Sequence, residues 1–171
     1  MTGADEVDRI AAAWAREQPD VDLSPLHVLS RVTRLARHLD RARRAAFSAH
    51  GLEAGEFDVL AALRRSGPPY EQSPGRLGTW TMVTSGTMTA RLDKLEGRGL
   101  VRRRTDPNDR RAVIVALTPT GSDVVGAALA SLLEQEHALL AAVSGDDQRR
   151  LADLLREILV PLDGTPDAAR S

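Results

Sequence analysis

The feature that most constrains this chain is a helical pattern that runs directly into a short, basic hairpin pattern. Residues 85–98 carry apolar side chains at helical spacing, and Gly99 follows as a stop signal. The apolar positions are Met88, Leu92 and Leu95. Residues 101–105 and 112–117 favour strands, and the Asp-Pro-Asn-Asp sequence between them favours a turn. We therefore expect a helix packed beside a two-stranded β-hairpin.

The side of this helix opposite the apolar positions is built mostly from small and polar residues. They include Ser85, Gly86, Thr87, Ala90 and Lys94. Small side chains let a helix backbone approach base edges in a DNA major groove, where Ser and Thr can hydrogen-bond and a Thr methyl can contact thymine. A lysine such as Lys94 suits a phosphate. The face predicts a DNA-reading helix, and an ordinary solvated helix face is the alternative.

Positive charge is concentrated near the hairpin rather than spread over the chain. The formal net charge of the whole sequence is −1, whereas residues 98–111 hold six arginines and two aspartates. Arg110 and Arg111 fall at the hairpin tip, where a purely structural turn would favour Gly, Asn or Asp. We expect both to reach a minor groove and the phosphates, with Asp109 bracing one guanidinium through a bidentate pair. Solvated arginines are the alternative.

Helical patterns continue on both sides of this region. Helices are expected at residues 5–17, 24–50, 54–66, 73–80 and 118–143, and from 145 to a stop at Pro161. Ser24 is expected to cap the second helix, and Thr84 or Ser85 the helix that leads into the hairpin. The patterns predict a mainly α fold with a small β-wing, a winged helix-turn-helix extended by terminal dimerisation helices. A larger monomeric helical core is the alternative.

The expected organisation is a single unit over residues 1–163. Within it, residues 51–117 form the winged helix-turn-helix lobe that binds double-stranded DNA. Residues 1–50 and 118–163 form helices that pair two copies of the chain, because their apolar stripes exceed what a small winged helix needs for its core. Residues 164–171 are expected to be a disordered tail.

Composition and motif content exclude several classes of function. The chain has no cysteine, which excludes disulfides, thiolate zinc sites and cysteine redox sensors. No two of the four histidines have the i, i+4 spacing of a helical metal site, so neither a metal nor a cofactor is expected. Because no phosphate loop, nucleophile elbow or paired carboxylates stand out, we do not expect an enzyme. Without a signal peptide or a long apolar run, a cytoplasmic protein with no membrane partner is expected.

From residue 95 onward the sequence resembles the multiple antibiotic resistance regulator (MarR) family of bacterial transcription factors. The matching residues are Leu95-Glu96, Gly99-Leu100-Val101, Asp109-Arg110-Arg111, Thr118 and Gly121. The resemblance implies a homodimeric winged-helix repressor that binds a pseudo-palindromic operator and is released by a small ligand, commonly an anionic phenol or acid. A winged helix that binds protein instead of DNA is the alternative of another class, and its binding would lack a steep salt dependence.

A finer resemblance is to the urate-responsive branch of that family, which carries an additional N-terminal helix with a Trp. Residues 5–17 with Trp14 match that helix, and Asp58, Arg91 and Arg103 match three further positions of the branch. The resemblance implies a pocket for urate or a related planar anion. A carboxylic acid or a phenol is the alternative ligand.

The chemistry of the same four residues supports a separate interpretation. Arg91 lies between the core-facing and DNA-facing sides of its helix, and Arg103 alternates with its arginine neighbours so that it faces the protein. A buried arginine needs an anion or a carboxylate, and Asp58 is the natural carboxylate. Trp14 would form a flat apolar lid over a planar ligand. The alternative is a structural ion pair between Asp58 and an arginine, with Trp14 as an ordinary core residue.

Overall fold

The computed structural model of the protein describes residues 3–107 and 109–163. Its elements in chain order are α1 (Glu6–Glu17), α2 (Ser24–Ser48), α3 (Ala54–Arg65), β1 (Glu71–Gln72), α4 (Pro74–Trp80), α5 (Ser85–Gly97), β2 (Val101–Thr105), β3 (Val113–Leu117), α6 (Pro119–Leu140) and α7 (Gly145–Asp163). The mainly helical fold with a small β-wing is confirmed. The chain divides into two compact units, Met1–Leu132 and Leu133–Ser171. The tail predicted at 164–171 lies outside the described residues.

Side-chain caps determine where several helices begin. Asp5 caps α1 with its carboxylate, which accepts two backbone N–H groups of the first turn. Of the two candidates that the sequence leaves open, Thr84 caps α5 and accepts the N–H of Thr87. The prediction that Ser24 caps α2 is wrong. Ser24 is the first helical residue, and the carboxylate of Asp22 accepts its N–H at 2.9 Å. The carboxylate is a stronger acceptor than the Ser24 hydroxyl, and Asp22 lies two residues earlier in the chain.

The last helix continues past the proline that was predicted to stop it. Helix α7 runs to Asp163 and contains Pro161. A proline removes one i→i−4 hydrogen bond and crowds the carbonyl group four residues earlier, here that of Glu157. Pro161 falls in the final turn, where the surrounding residues are exposed. The helix therefore loses a single bond at its end, and solvent can satisfy the released carbonyl.

The core of the first unit is formed by α3, α5 and the strands, with contributions from α2 and α6. The three residues predicted for the inner face of α5 are buried, namely Met88, Leu92 and Leu95. Phe47 of α2 stacks on Phe57 of α3 with ring centroids 4.0 Å apart and planes 13° from parallel. Burial of its inner face fixes the rotation of α5 about its axis, so the opposite side stays exposed.

The start of α6 depends on a close backbone approach. The hydroxyl of Thr118 donates to the carbonyl of Gly99 at 2.8 Å, and it accepts the N–H of Gly121 at 3.0 Å. A Cβ atom on Gly121 would overlap the carbonyl oxygen of Leu100, whereas a Cβ atom on Gly126 would meet nothing within 4 Å. Two glycines of one helix therefore have different roles, and Gly121 alone allows the contact.

Three short antiparallel strands form the wing in the order β1-β3-β2. Strand β2 has the predicted bounds, and β3 begins at Val113, one residue later than predicted. Sequence reasoning missed β1, because two residues are too few to show a strand period. Across β3, the guanidinium of Arg104 on β2 lies 2.7 Å from the carboxylate of Glu71 on β1, which joins the two outer strands.

Arg103 links the wing to α5 through two carboxylates. As predicted, its side chain faces the protein: the backbone N–H and Nε both donate to Glu96 at 2.7 Å, and Nη2 donates to Asp93 at 2.7 Å. The side-chain hydrogen bond from Arg103, followed by the one from its backbone N–H, lowers the pKa of the Glu96 carboxyl. The bonds to Glu96 and Asp93 raise the pKa of Arg103. These three residues hold β2 against the helix.

Alanine substitutions at the two glycines of α6 should have opposite effects on stability. Gly121→Ala forces an overlap with backbone that cannot easily move, and it should lower the free energy of unfolding by about 1–3 kcal/mol. Gly126→Ala enters open space and should raise it by about 0.5–1 kcal/mol, because Ala loses less backbone entropy in a helix. Urea unfolding of both variants measures the difference, and equal effects would contradict the close approach.

Glu96→Gln should lower stability in a pH-dependent way. At neutral pH the variant keeps a weaker acceptor for Arg103, and its free energy of unfolding should fall by about 0.5–1 kcal/mol, as for a partly exposed pair. The pKa of Glu96 is lower in the folded chain than its ordinary value of 4.5. The carboxylate's contribution is therefore present above that value and is lost as pH falls through the folded pKa.

The difference in melting temperature between wild type and Glu96→Gln should consequently shrink as pH is lowered below 4.5. Glu134→Gln is the matched control, because Glu134 is exposed and forms no ion pair with any described residue. A difference for Glu96→Gln that does not change with pH would show that the charge of Glu96 contributes nothing.

Candidate nucleic-acid interface and ligand site

The outer face of α5 is exposed at every predicted position. These residues are Ser85, Gly86, Thr87, Ala90 and Lys94. A Cβ atom on Gly86 would meet no other atom within 4 Å, so the backbone of the first turn is open to a close approach. Lys94 is less free than expected, because its ammonium group lies 3.1 Å from the carboxylate of Glu53. Both partners are exposed, and a phosphate could displace so weak a pair.

The tip of the wing exposes two arginines that lack an ionic partner. Arg110 and Arg111 are exposed, and neither guanidinium forms an ion pair within the part of the chain that the structure describes. The prediction that Asp109 braces one of them is wrong. Its carboxylate accepts the backbone N–H of Arg111 at 2.9 Å instead, because an Asp in a turn readily bonds the backbone two residues later. Both guanidinium groups are left available.

A cation–aromatic pair on α4 was missed by the sequence reasoning. The guanidinium of Arg76 lies over the ring of Trp80, 5.0 Å from its centroid. Helix α4 directly precedes α5, the helix predicted to read DNA, and the first helix of a helix-turn-helix motif crosses the DNA backbone. The i, i+4 spacing of an Arg and a Trp on one helix face is the signal that could have identified this pair.

Asp58 forms an ion pair, although with a different arginine from the two that the sequence suggested. Its carboxylate lies 3.4 Å from the guanidinium of Arg43 on α2, so the predicted pairing with Arg91 or Arg103 is wrong. The stacking of Phe47 on Phe57 explains the choice. Arg43 is one turn before Phe47 on α2, and Asp58 directly follows Phe57 on α3, so packing of the rings brings the two charges together.

Arg91 is half-buried and lies against α3. Its guanidinium occupies the space above Gly55, where any Cβ atom would overlap it. Among the described residues it makes no hydrogen bond and no ion pair. Gly55 and Asp58 are one turn apart on α3, so Arg91 lies near the side of α3 that carries Asp58. A half-buried cation without a partner is a candidate receptor for an anion.

The remaining two candidate ligand residues lie apart from this arrangement. Arg103 is engaged by Glu96 and Asp93. Trp14 on α1 is 51% exposed, so the alternative that it is an ordinary core residue is wrong. The described residues show no hydrogen bond, ion pair or ring contact between any two of the four candidates. A ligand that touches all four has to bring them together.

Two other properties bear on the kind of site. Within residues 3–107 and 109–163, no three His, Asp or Glu side chains are close enough together to hold a metal ion. Over the same ranges, none of the helices combines the length and apolar character needed to cross a membrane. The candidate functional groups described above are those of the α4–α5–wing surface and the guanidinium of Arg91 beside α3.

Comparison with known proteins identifies the family. A sequence model described as MarR family matches residues 52–113, from two residues before α3 to the first residue of β3. The HTH-type transcriptional regulator PecS of Dickeya dadantii is 37% identical over 153 residues, which cover 90% of this chain and 92% of PecS.

Solved structures agree with that assignment. A mutant of MarR from E. coli in complex with operator DNA has a TM-score of 0.65 and 26% identity, and the match covers 82% of this chain and all of that one (100%). BpsR of Bordetella bronchiseptica, whose DNA binding is regulated by 6-hydroxynicotinic acid, has a TM-score of 0.60 and 26% identity over 77% of this chain and 90% of BpsR. These relatives are DNA-binding regulators rather than enzymes or protein-interaction modules. The chain belongs to the MarR family of ligand-responsive, winged helix-turn-helix transcriptional regulators.

Proposed function

We propose that this protein is a homodimeric repressor that binds a pseudo-palindromic operator and leaves it when a small planar anion, such as urate, binds. The observation that carries the DNA-binding part is the surface formed by α5 and the wing. The residues of the first turn of α5 are small and exposed, and neither Arg110 nor Arg111 at the hairpin tip has an ionic partner among the described residues. An unpaired guanidinium suits a phosphate or a minor groove.

Uncovered apolar faces in both units support a homodimer. On α2 the exposed residues include Val28, Val32 and Leu35, and on α7 they include Leu154, Ile158 and Leu159. Apolar side chains repeated along one helix face are stabilised when a second helix covers them. A second copy of the chain would cover them in pairs, and a two-fold dimer would match an operator with two related half-sites.

The ligand-binding part of the proposal rests on Arg91. Because its guanidinium is half-buried and has no ionic or hydrogen-bond partner among the described residues, an anion that reaches it gains a charge-assisted hydrogen bond without breaking one of those. Arg103 is different, since an anion must compete there with Glu96 and Asp93. We therefore assign first contact to Arg91, with Arg103 drawn from its carboxylates afterwards. Trp14, half-exposed on α1, would then close over the ligand's flat face.

Release of DNA would follow from the position of Arg91 on the reading helix. A ligand beside Arg91 adds negative charge near Asp58, and α5 shifts as Arg91 turns toward the ligand. Any shift of α5 changes the spacing of the two reading helices in a dimer, and DNA fixes that spacing at about one helical turn. A coupling of about 1–3 kcal/mol is enough for such a switch. A carboxylic acid or a phenol remains the alternative ligand, and the 6-hydroxynicotinic acid of BpsR is one such planar anion.

The test of the proposal is a gel-shift titration of the full chain. The duplex is one that the wild-type protein enriches from a random-sequence library, and urate, salicylate and citrate are compared as releasing agents. Release by urate at concentrations where salicylate and citrate have no effect supports the urate assignment. Release by salicylate or citrate but not by urate would keep the repressor assignment and reject urate as the ligand.

Arg111→Ala should weaken DNA binding without affecting the fold. Because the side chain is exposed and unpaired in the free protein, the melting temperature should stay at the wild-type value. The dissociation constant for the enriched duplex should rise about tenfold, and the slope of its logarithm against log[salt] should fall by about 1. Arg150→Ala on α7 is the matched control, since Arg150 is also exposed and unpaired. Equal behaviour of the two variants would mean that the wing tip does not touch DNA.

Arg91→Ala should separate the ligand response from DNA binding. DNA affinity without urate should stay near wild type, because Arg91 is not on the exposed face of α5. The urate concentration that releases half of the DNA should rise about tenfold or more, the usual effect of losing a charged hydrogen bond.

Gly55→Ala provides a second variant that keeps the charge of Arg91 and displaces its guanidinium. It should also weaken the urate response. Arg65→Ala, which removes an exposed and unpaired arginine from the same helix α3, should leave the response unchanged. A wild-type urate response in both Arg91→Ala and Gly55→Ala would exclude the contact region of Arg91 and Gly55 as the ligand site.

A further inference from the structure

The turn between α4 and α5 contains a large apolar residue where the backbone favours glycine. Met82 has a φ of +52° and is 92% exposed. Two hydrogen bonds close α4 around it in a Schellman motif: the N–H of Val83 donates to the carbonyl of Gly78 at 3.0 Å, and the N–H of Met82 donates to that of Thr79 at 3.3 Å. Glycine is usual at this left-handed position because it has no Cβ to clash.

The same chain uses glycine in the same motif elsewhere. After α5, Gly99 has a φ of +70°, and the N–H of Leu100 donates to the carbonyl of Leu95 at 2.9 Å. After α2, Gly51 has a φ of +67°, and the N–H of Leu52 donates to the carbonyl of Phe47 at 2.9 Å. Methionine at position 82 is therefore a departure from the chain's own pattern.

No packing within the described residues accounts for the methionine. Tyr70, the other non-glycine residue there with a left-handed backbone, packs against the core, and Arg64 stacks on its ring. Of the large apolar side chains in those residues, none is more exposed than Met82. The free protein thus carries both a strained backbone and a solvated apolar side chain. A contact outside the chain would offset both costs.

We infer that Met82 is a DNA contact residue that reads a thymine methyl group at the edge of the half-site. Met82 lies two residues before Thr84, the cap of α5. It lines one surface pocket together with Ser85 and Thr89 of the first two turns of α5. Its side chain is therefore on the surface that meets the major groove. A thymine methyl is the apolar group that a major groove presents.

The neighbouring α4 supplies the charge for this contact. Arg76, held over the Trp80 ring, is a cation on the helix that crosses the DNA backbone. A phosphate bound by Arg76 would position the DNA strand whose bases pass Met82. Contacts to phosphate carry no sequence preference, so Met82 would supply that preference. The inference rests on the DNA binding of the proposed function and adds a specificity-determining residue to it.

The decisive variant is Met82→Gly, which removes the side chain and relieves the backbone. Its dissociation constant for the duplex enriched by wild type should rise about tenfold or more, as expected for losing one buried apolar side chain. The melting temperature should be unchanged or higher. The salt slope of binding should be unchanged, because no cation is lost. Replacing thymine by uracil at the outer positions of each half-site should weaken wild type and leave Met82→Gly unaffected.

Two controls separate this role from a structural one. Gly99→Met places the same side chain in the same motif, in open space, and should lower the melting temperature by about 2–4 °C, which measures the strain that Met82 carries. Arg76→Ala should reduce the salt slope, unlike Met82→Gly.

Three outcomes would overturn the inference. Equal affinity of Met82→Gly and wild type for the enriched duplex would overturn the inference about Met82 and leave the proposed function standing. A loss of affinity that accompanies a loss of stability would have the same consequence. An equal response of both proteins to uracil overturns the assignment to thymine. A wild-type protein that enriches no sequence overturns the proposed function and this inference with it.

Discussion

The surface proposed to read DNA depends on the packing of α5 and the wing on one core and on the hydrogen bonds by which Arg103 links them. Helix α5 is fixed about its axis by its buried face, and the hairpin is anchored to the same core by Val101, Val115 and Leu117. The bonds from Arg103 to Glu96 and Asp93 add a direct polar link between β2 and α5. DNA presents its grooves at a fixed separation, so a reading helix and a wing can bind together only when their own separation is held. These bonds are partly exposed and individually weak, which leaves them open to competition from an anion.

The two arginines proposed for the ligand act on α5 in different ways. Arg103 reaches α5 from the wing, whereas Arg91 belongs to α5 and lies over Gly55 of α3. Arg91 and Asp93 are two residues apart and do not face each other on a helix. In the proposed mechanism, a ligand at Arg91 would therefore change the position of α5 relative to α3, and a ligand at Arg103 would change the position of the wing relative to α5. An anion that reaches both would alter the two separations on which DNA binding depends.

The sequence determined the local features of the fold more completely than the pairings between distant residues. Helical period located Met88, Leu92 and Leu95 in the core, and strand alternation turned Arg103 inward, because both depend only on neighbours in the chain. The partner of Asp58 could not be read in this way. It depends on how the rings of Phe47 and Phe57 bring α2 and α3 together.

The same distinction explains the other differences between prediction and structure. Strand β1 exists only through its pairing with β3, and its two residues carry no period of their own. Ser24 does not cap α2, because it is the first helical residue and its own N–H donates to the carboxylate of Asp22. For the candidate site, the exposed positions on α5 and the wing followed from periodicity and turn chemistry, whereas the free state of Arg91 required the tertiary structure.

Departures from local rules separate functional positions from structural ones in this protein. Gly51 and Gly99 follow the rule for a left-handed helix end, and Gly121 follows the rule for close packing, so stability alone explains them. Met82 breaks the first rule, and the unpaired Arg91 breaks the rule that a half-buried charge has a partner. One departure lies in the turn before the cap of α5, and the other lies at the middle of α5, where that helix contacts α3. A chain selected only for stability would not keep either, so an external partner at each place is the simpler explanation.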